Sequence, residues 1–121
     1  VGDIAFLHDS NALVGVASRD VDLRVVVVDN AGGGIFSFLP QATALTSERF
    51  EQLFGTPHGT DIVTLATAHG VVARTIESVD DLVASLSAPG PSVTRVVTDR
   101  VENVAVHAAL NAAVASALGG D

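Results

Sequence analysis

Four consecutive valines, Val25 to Val28, run directly into Asp29-Asn30-Ala31-Gly32-Gly33-Gly34-Ile35-Phe36, and this stretch restricts the chain more than any other. β-Branched residues in an unbroken run suit a strand covered on both faces, as in the middle of a parallel sheet. The glycines permit positive φ and let backbone come close to a ligand where a Cβ would obstruct it. Ligands of open α/β sheets bind just beyond the carboxyl ends of such strands. The chemistry is therefore expected between Asp29 and Phe36.

A second polar feature opens the chain. Gly2-Asp3 places a carboxylate 27 residues before Asn30. A carboxylate oxygen, an amide oxygen and the free carbonyls of a glycine loop are hard donors. They suit Mg²⁺, which takes one or two protein carboxylates and completes its octahedron with phosphate and water. Turned amides and a helix N-terminus would hold the phosphates. The bland alternative is a strand–Asn–Gly turn that only reverses the chain, and spacing alone leaves both open.

Strands and helices alternate along the rest of the sequence. Apolar residues at three-to-four spacing (Ile4, Phe6, Leu7, Leu13, Val14, Val16) predict a helix over 4–17. Leu23 to Val28 is the valine strand. Residues 37–46 show no clean period and hold Pro40, so they read as a long loop. Ser47 is placed to cap a short helix with Phe50, Leu53 and Phe54 on its inner face. Gly55-Thr56-Pro57-His58-Gly59 is dense in turn formers. Thr60 or Asp61 then caps a helix that Gly70 ends. A strand is expected over 71–76, and a helix over 79–88 with Ser78 and Asp81 as its capping pair. Another strand follows over 93–98, and a final helix over 104–118 with Asn103 as its cap. This alternation predicts an α/β fold: three layers, α/β/α, around a mainly parallel sheet.

The whole chain is 121 residues, the length of one domain. Its net charge is −8 and all six basic residues are arginines, with no cluster among them, which excludes non-specific binding to nucleic acid. No apolar run reaches the ~20 residues of a membrane-spanning helix. The absence of cysteine excludes disulfides and thiolate zinc sites and is compatible with the cytoplasm. No G-x-S-x-G elbow, lysine-bearing phosphate loop or G-x-G-x-x-G fingerprint occurs. His8-Asp9 resembles a metal phosphohydrolase dipeptide, but no further ligands accompany it. His69 and His107 read as surface or packing residues on helices. His58, in its turn-rich loop, is expected first to be structural and second to be catalytic. Val1 stands directly against Gly2-Asp3, where a strand is expected to precede; residues 1–121 thus read as one domain of a larger protein, lacking its first strand.

Taken together, Gly2-Asp3 and the later Asn30 resemble the thiamine diphosphate motif, a Gly-Asp-Gly followed by Asn-Asn about thirty residues on. Three segments point to one branch of that superfamily: Gly2 to Leu13, Asn30 to Pro40, and Phe54-Gly55-Thr56-Pro57-His58-Gly59. In order, they are similar to the 2-succinyl-5-enolpyruvyl-6-hydroxy-3-cyclohexene-1-carboxylate synthases of menaquinone biosynthesis. The resemblance spans nearly the whole chain but only that family's C-terminal, diphosphate-binding domain. It implies a thiamine diphosphate-binding fold, with thiamine diphosphate and Mg²⁺ as cofactors. Asp3 and Asn30 would give side-chain oxygens to Mg²⁺, and Gly32 its carbonyl. Gly2, Ile4, Ala5 and the loop at Gly32-Gly33 would face the diphosphate, with Ile35 and Phe36 near the thiazolium ring and the substrate. The implied reaction decarboxylates 2-oxoglutarate and adds the succinyl carbanion equivalent to isochorismate.

The sequence departs from the pattern in places. Ile4 replaces the second glycine of the motif, as is common in this branch. Asp29 replaces the first asparagine and adds a charge that would compete for the metal, and Ala31 replaces a frequently polar residue. The resemblance places the glutamate that activates the aminopyrimidine on a separate pyrimidine-binding domain, in a second subunit of a homo-oligomer. No catalytic residue is therefore expected in this chain, and the chain alone is expected to be inactive. Two alternatives remain: another thiamine diphosphate-dependent decarboxylase or carboligase, and a non-catalytic binding or assembly module of the same fold.

Overall fold

The computed structural model describes residues 1–119. Three strands, β1 (Arg24–Asp29), β2 (Val72–Ile76) and β3 (Ser92–Val97), form one sheet in the order β1-β3-β2. Both pairings are parallel, with Val27 opposite Arg95 and Ala73 opposite Val93. Parallel neighbours require crossovers, and helices supply them. Six α-helices are formed among the described residues: α1 (Asp3–His8), α2 (Gln41–Ala44), α3 (Ser47–Phe50), α4 (Ile62–Ala68), α5 (Val79–Ser87) and α6 (Arg100–Ala117).

Strand alternation sorts the layers. Val27 and Val93 point to one face, where Phe6 of α1 and Ile62 and Ala66 of α4 join Leu13, Val16 and Val71 in a single apolar core. Thr94, one residue on, points to the opposite face and meets Ser85 of α5 through their hydroxyls. Helices thus lie on both sides of the sheet, the three-layer α/β arrangement that the alternation predicts.

The valine run, however, is not the middle strand. Among the described residues β3 holds that position, and the other edge of β1 pairs with the first residues, Val1 and Gly2. There the Val28 N–H donates to the Val1 carbonyl at 2.9 Å, and Gly2 forms a parallel bridge to Val28. Val27 is fully buried while Val28 is 42 % exposed, so only one face of β1 is covered throughout.

Helix boundaries follow caps more than periodicity. Asp61 accepts the Thr64 N–H at 3.0 Å, and Ser78 accepts that of Asp81 at 3.1 Å, as expected. Thr46, not Ser47, caps α3, which widens into a π-helical turn over Glu51–Gly55. That turn leaves Leu53 about half exposed instead of on an inner face. The helix expected over 4–17 stops at His8 and continues as two 3₁₀ turns, Ser10–Leu13 and Val16–Ser18, between which Gly15 takes φ +72°. The loop expected over 37–46 contains the end of a 3₁₀ turn, Gly34–Phe38, and the single turn α2. The last helix begins four residues earlier than expected because Asp99, and not Asn103, is its cap: its carboxylate accepts both the Val101 and Glu102 N–H groups at 2.8 Å. Among the described residues, no helix is long and apolar enough to cross a membrane.

Candidate functional site

The carboxyl end of β1 delivers Asp29 and Asn30 to the sheet's rim, and the start of α1 delivers Asp3 beside them. Asp3 is buried, and its two oxygens are held separately. Oδ1 accepts the Ile4 N–H at 2.8 Å, and Oδ2 accepts the Gly32 N–H at 2.8 Å across 29 residues. The opening acid and the glycine loop are therefore one structure. Gly2, beside them, is exposed and engaged with β1.

Asp29 is also buried. Its Oδ1 accepts the Ala31 N–H at 2.9 Å, and its Oδ2 accepts Arg95 Nε at 2.6 Å. Burial pushes the Asp29 carboxyl up, but the Ala31 N–H and the Arg95 guanidinium outweigh it and hold the group below the usual carboxylate range. Asp29 is thus committed to Arg95, which limits its capacity to compete for a metal. His58 completes the cluster. Its Nε2 lies 3.2 Å from Asp3 Oδ2 and 3.8 Å from Asp29 Oδ1, and its Nδ1 accepts the Thr60 N–H at 3.0 Å.

Asn30 follows Asp29 in the chain, at the start of the glycine loop. Its Oδ1 is buried and has no hydrogen-bond partner among the described residues. An unsatisfied buried acceptor costs about 1–3 kcal/mol. A cation is one way to relieve it, and the hard oxygens of Asp3, Asn30 and the Gly32 carbonyl are the donor set that Mg²⁺ takes. The residues present therefore fit such an ion.

The glycines do something the sequence did not announce. A Cβ on Gly32, which takes φ +145°, would collide with the Gly55 carbonyl, and one on Gly33 would collide with that of Phe54. The Gly33 N–H donates to the Gly55 carbonyl at 2.8 Å. Their lack of side chains lets the loop lie against the Phe54-Gly55 turn, protein backbone on protein backbone. Phe36 packs on Phe54 with ring centroids 5.6 Å apart, while Ile35 is 75 % exposed. Ile4 and Ala5 are exposed on the first turn of α1, with the Ile4 N–H already given to Asp3. Between the Asn30 loop and α6 lies a cleft of about 720 Å³, lined by Asn30, Ala31, Phe50, Glu51, Arg100 and Val104.

The structure brings together Asp3, Gly32 and the Asn30 loop, and adds two residues that sequence reasoning did not place there. Arg95 is a charge inside the β-branched run Val93 to Val97, a signal of a buried partner. His58 gave only its turn-rich setting as a hint.

Residues 1–97 match the family described as "Thiamine pyrophosphate enzyme, C-terminal TPP binding domain". The chain belongs to that family. Over nearly its whole length, this TPP-binding domain is also similar to curated proteins named 2-succinyl-5-enolpyruvyl-6-hydroxy-3-cyclohexene-1-carboxylate synthase. The protein of Saccharopolyspora erythraea is 46 % identical over 99 % of this chain and 22 % of its own length. Those of Chloroflexus aurantiacus and Myxococcus xanthus are 39 % and 41 % identical, each over 98 % of this chain and 20 % of its own length. The chain spans about a fifth of the length of these curated relatives. The family match stops at the end of β3, whereas the similarity to the synthases extends into α6.

Proposed function

We propose that this chain is the diphosphate-binding domain of a 2-succinyl-5-enolpyruvyl-6-hydroxy-3-cyclohexene-1-carboxylate synthase, a transferase (carboligase) of menaquinone biosynthesis. In this reading the complete enzyme decarboxylates 2-oxoglutarate and joins the succinyl unit to isochorismate. Asp3 and Asn30 side-chain oxygens and the Gly32 carbonyl hold Mg²⁺. Gly2, Ile4, Ala5 and Gly33 border the diphosphate, and Ile35 and Phe36 border the reacting end of the cofactor. Thiamine diphosphate supplies the electron sink for decarboxylation, and the protein supplies orientation and electrostatics. The exposed Ile35 and the half-exposed Phe36 are free to exclude water once a second domain closes over them.

The observation that carries the reading is the buried carboxylate of Asp3, tied to the Gly32 N–H, together with the Oδ1 of Asn30, buried and without a partner among the described residues. The pyrimidine-binding domain and the second subunit would supply the activating glutamate, so the 121-residue chain alone is expected to show no turnover. The same reading makes the enzyme a cytoplasmic homo-oligomer.

The test is calorimetric titration of thiamine diphosphate with Mg²⁺ into the full-length protein, repeated with Asp3→Ala. Mg²⁺-dependent binding that disappears in the variant supports the site. Binding without product from 2-oxoglutarate and isochorismate would redirect the reading to another thiamine diphosphate-dependent decarboxylase or carboligase. No binding at all would make the domain a non-catalytic module.

A further inference from the structure

His58, Asp3 and Asp29 each bring one ligand-type atom within 4.8 Å of the others, an arrangement that at first resembles a metal site of its own. The hydrogen bond on the far side of the ring decides otherwise. Nδ1 accepts the Thr60 N–H at 3.0 Å, so its lone pair is in use and it carries no proton. A neutral imidazole has one donor and one acceptor, which puts the proton on Nε2. The opposite tautomer would set two N–H groups against each other. Nε2 therefore has no lone pair for a metal, and it faces Asp3 Oδ2 at 3.2 Å as a donor.

Resting on the Mg²⁺ reading above, we propose that His58 is a positioning residue for the metal-binding carboxylate. Thr60 fixes the tautomer, and the Nε2–H together with the Gly32 N–H orients Asp3 Oδ2. His58 approaches from a segment 55 residues away in sequence and is mostly buried, with 13 % of its side chain exposed, so the ring has little freedom to leave. Its donor is also 3.8 Å from Asp29 Oδ1, close enough to soften the repulsion between two buried carboxylates. The ring thus sets which Asp3 lone pairs remain for the cation. Hydrogen-bond partners one step behind a metal ligand commonly change metal affinity by about 10–100-fold when removed.

Two variants separate the two ends of the ring. In His58→Asn the short amide can still accept from Thr60 but presents no donor where Nε2 stood. In His58→Gln the longer amide places a donor near the Nε2 position. Mg²⁺ is titrated calorimetrically into the full-length enzyme at saturating thiamine diphosphate, and the melting temperature without metal is measured alongside. H58N is expected to bind Mg²⁺ about 10–100-fold more weakly, and H58Q to recover to within about threefold of wild type, with both variants still melting cooperatively without metal. H58N binding as tightly as wild type overturns the proposal. So does H58Q binding as weakly as H58N, which would make the ring's shape and not its donor the relevant property. Wild type showing no Mg²⁺-dependent binding is a separate result, which removes the metal reading and His58's role with it.

Discussion

Helices α4 and α6 differ in what keeps them helical. α4 has seven residues, fewer than the ~12–15 an isolated helix needs in water, yet Ile62 and Ala66 are fully buried against the sheet. α6 has eighteen residues, is rich in alanine and is doubly capped by Asp99, but none of its side chains is buried. It touches the rest of the molecule through Phe38 against His107, 5.2 Å between ring centroids, and through the Arg100–Glu51 ion pair at 2.6 Å. The short helix is held by burial and the long one by its own propensity and cap. Length is therefore no guide to which helix carries the fold.

Ile62→Ala should have the largest effect, a loss of about 2–5 kcal/mol read as a lower urea midpoint, because it opens a cavity at the centre of the core. A cost well under that range would mean α4 is not held by burial. Asp99→Ala should cost about 1 kcal/mol, confined to α6: amide exchange in its first turn should speed up while the sheet amides stay protected. Loss of protection in the sheet would show that α6 supports the fold after all.

Asp61 sharpens the comparison from the α4 side. Hydrogen bonds from the Thr64 N–H and hydroxyl lower its pKa in the folded state. A depressed folded pKa contributes stability above the unfolded value and loses it as pH falls through the folded one. Wild type and Asp61→Asn should therefore converge in melting temperature as pH drops below about 4 and differ most near neutrality. Divergence on acidification would contradict the cap. The smallest effect is expected from Leu110→Gln on the exposed stripe of α6, within about 0.5 kcal/mol by denaturation. A larger loss would mean that this stripe is covered in solution.

Features that depend on neighbouring residues were legible in the sequence. The Asp61 and Ser78 caps and the β-branched strands follow from residue type and local spacing. Features set by register or by competition were not. Asp99 and Asn103 are both good caps, and nothing local says that the earlier one starts α6. The glycines of the loop signal close approach but not its object, which is the Phe54-Gly55 backbone. Arg95 meets Asp29 because β1 and β3 pair in one register, and His58 meets Asp3 only through the folded chain.

Those long-range meetings bear on when the site exists during folding. Its contacts join residues 29, 55 and 66 positions apart, from α1, the end of β1, the loop before α4, and β3. Each closes a long loop whose entropic cost is offset when the sheet pairs, so the complete cluster is expected to assemble late. Arg95 reaches Asp29 from β3, 66 positions on, so a ribosome must release β3 before that carboxylate finds its counter-ion. A cation captured at Asp3 in the proposed site would therefore report that the segments carrying Asp3, Gly32 and His58 have met.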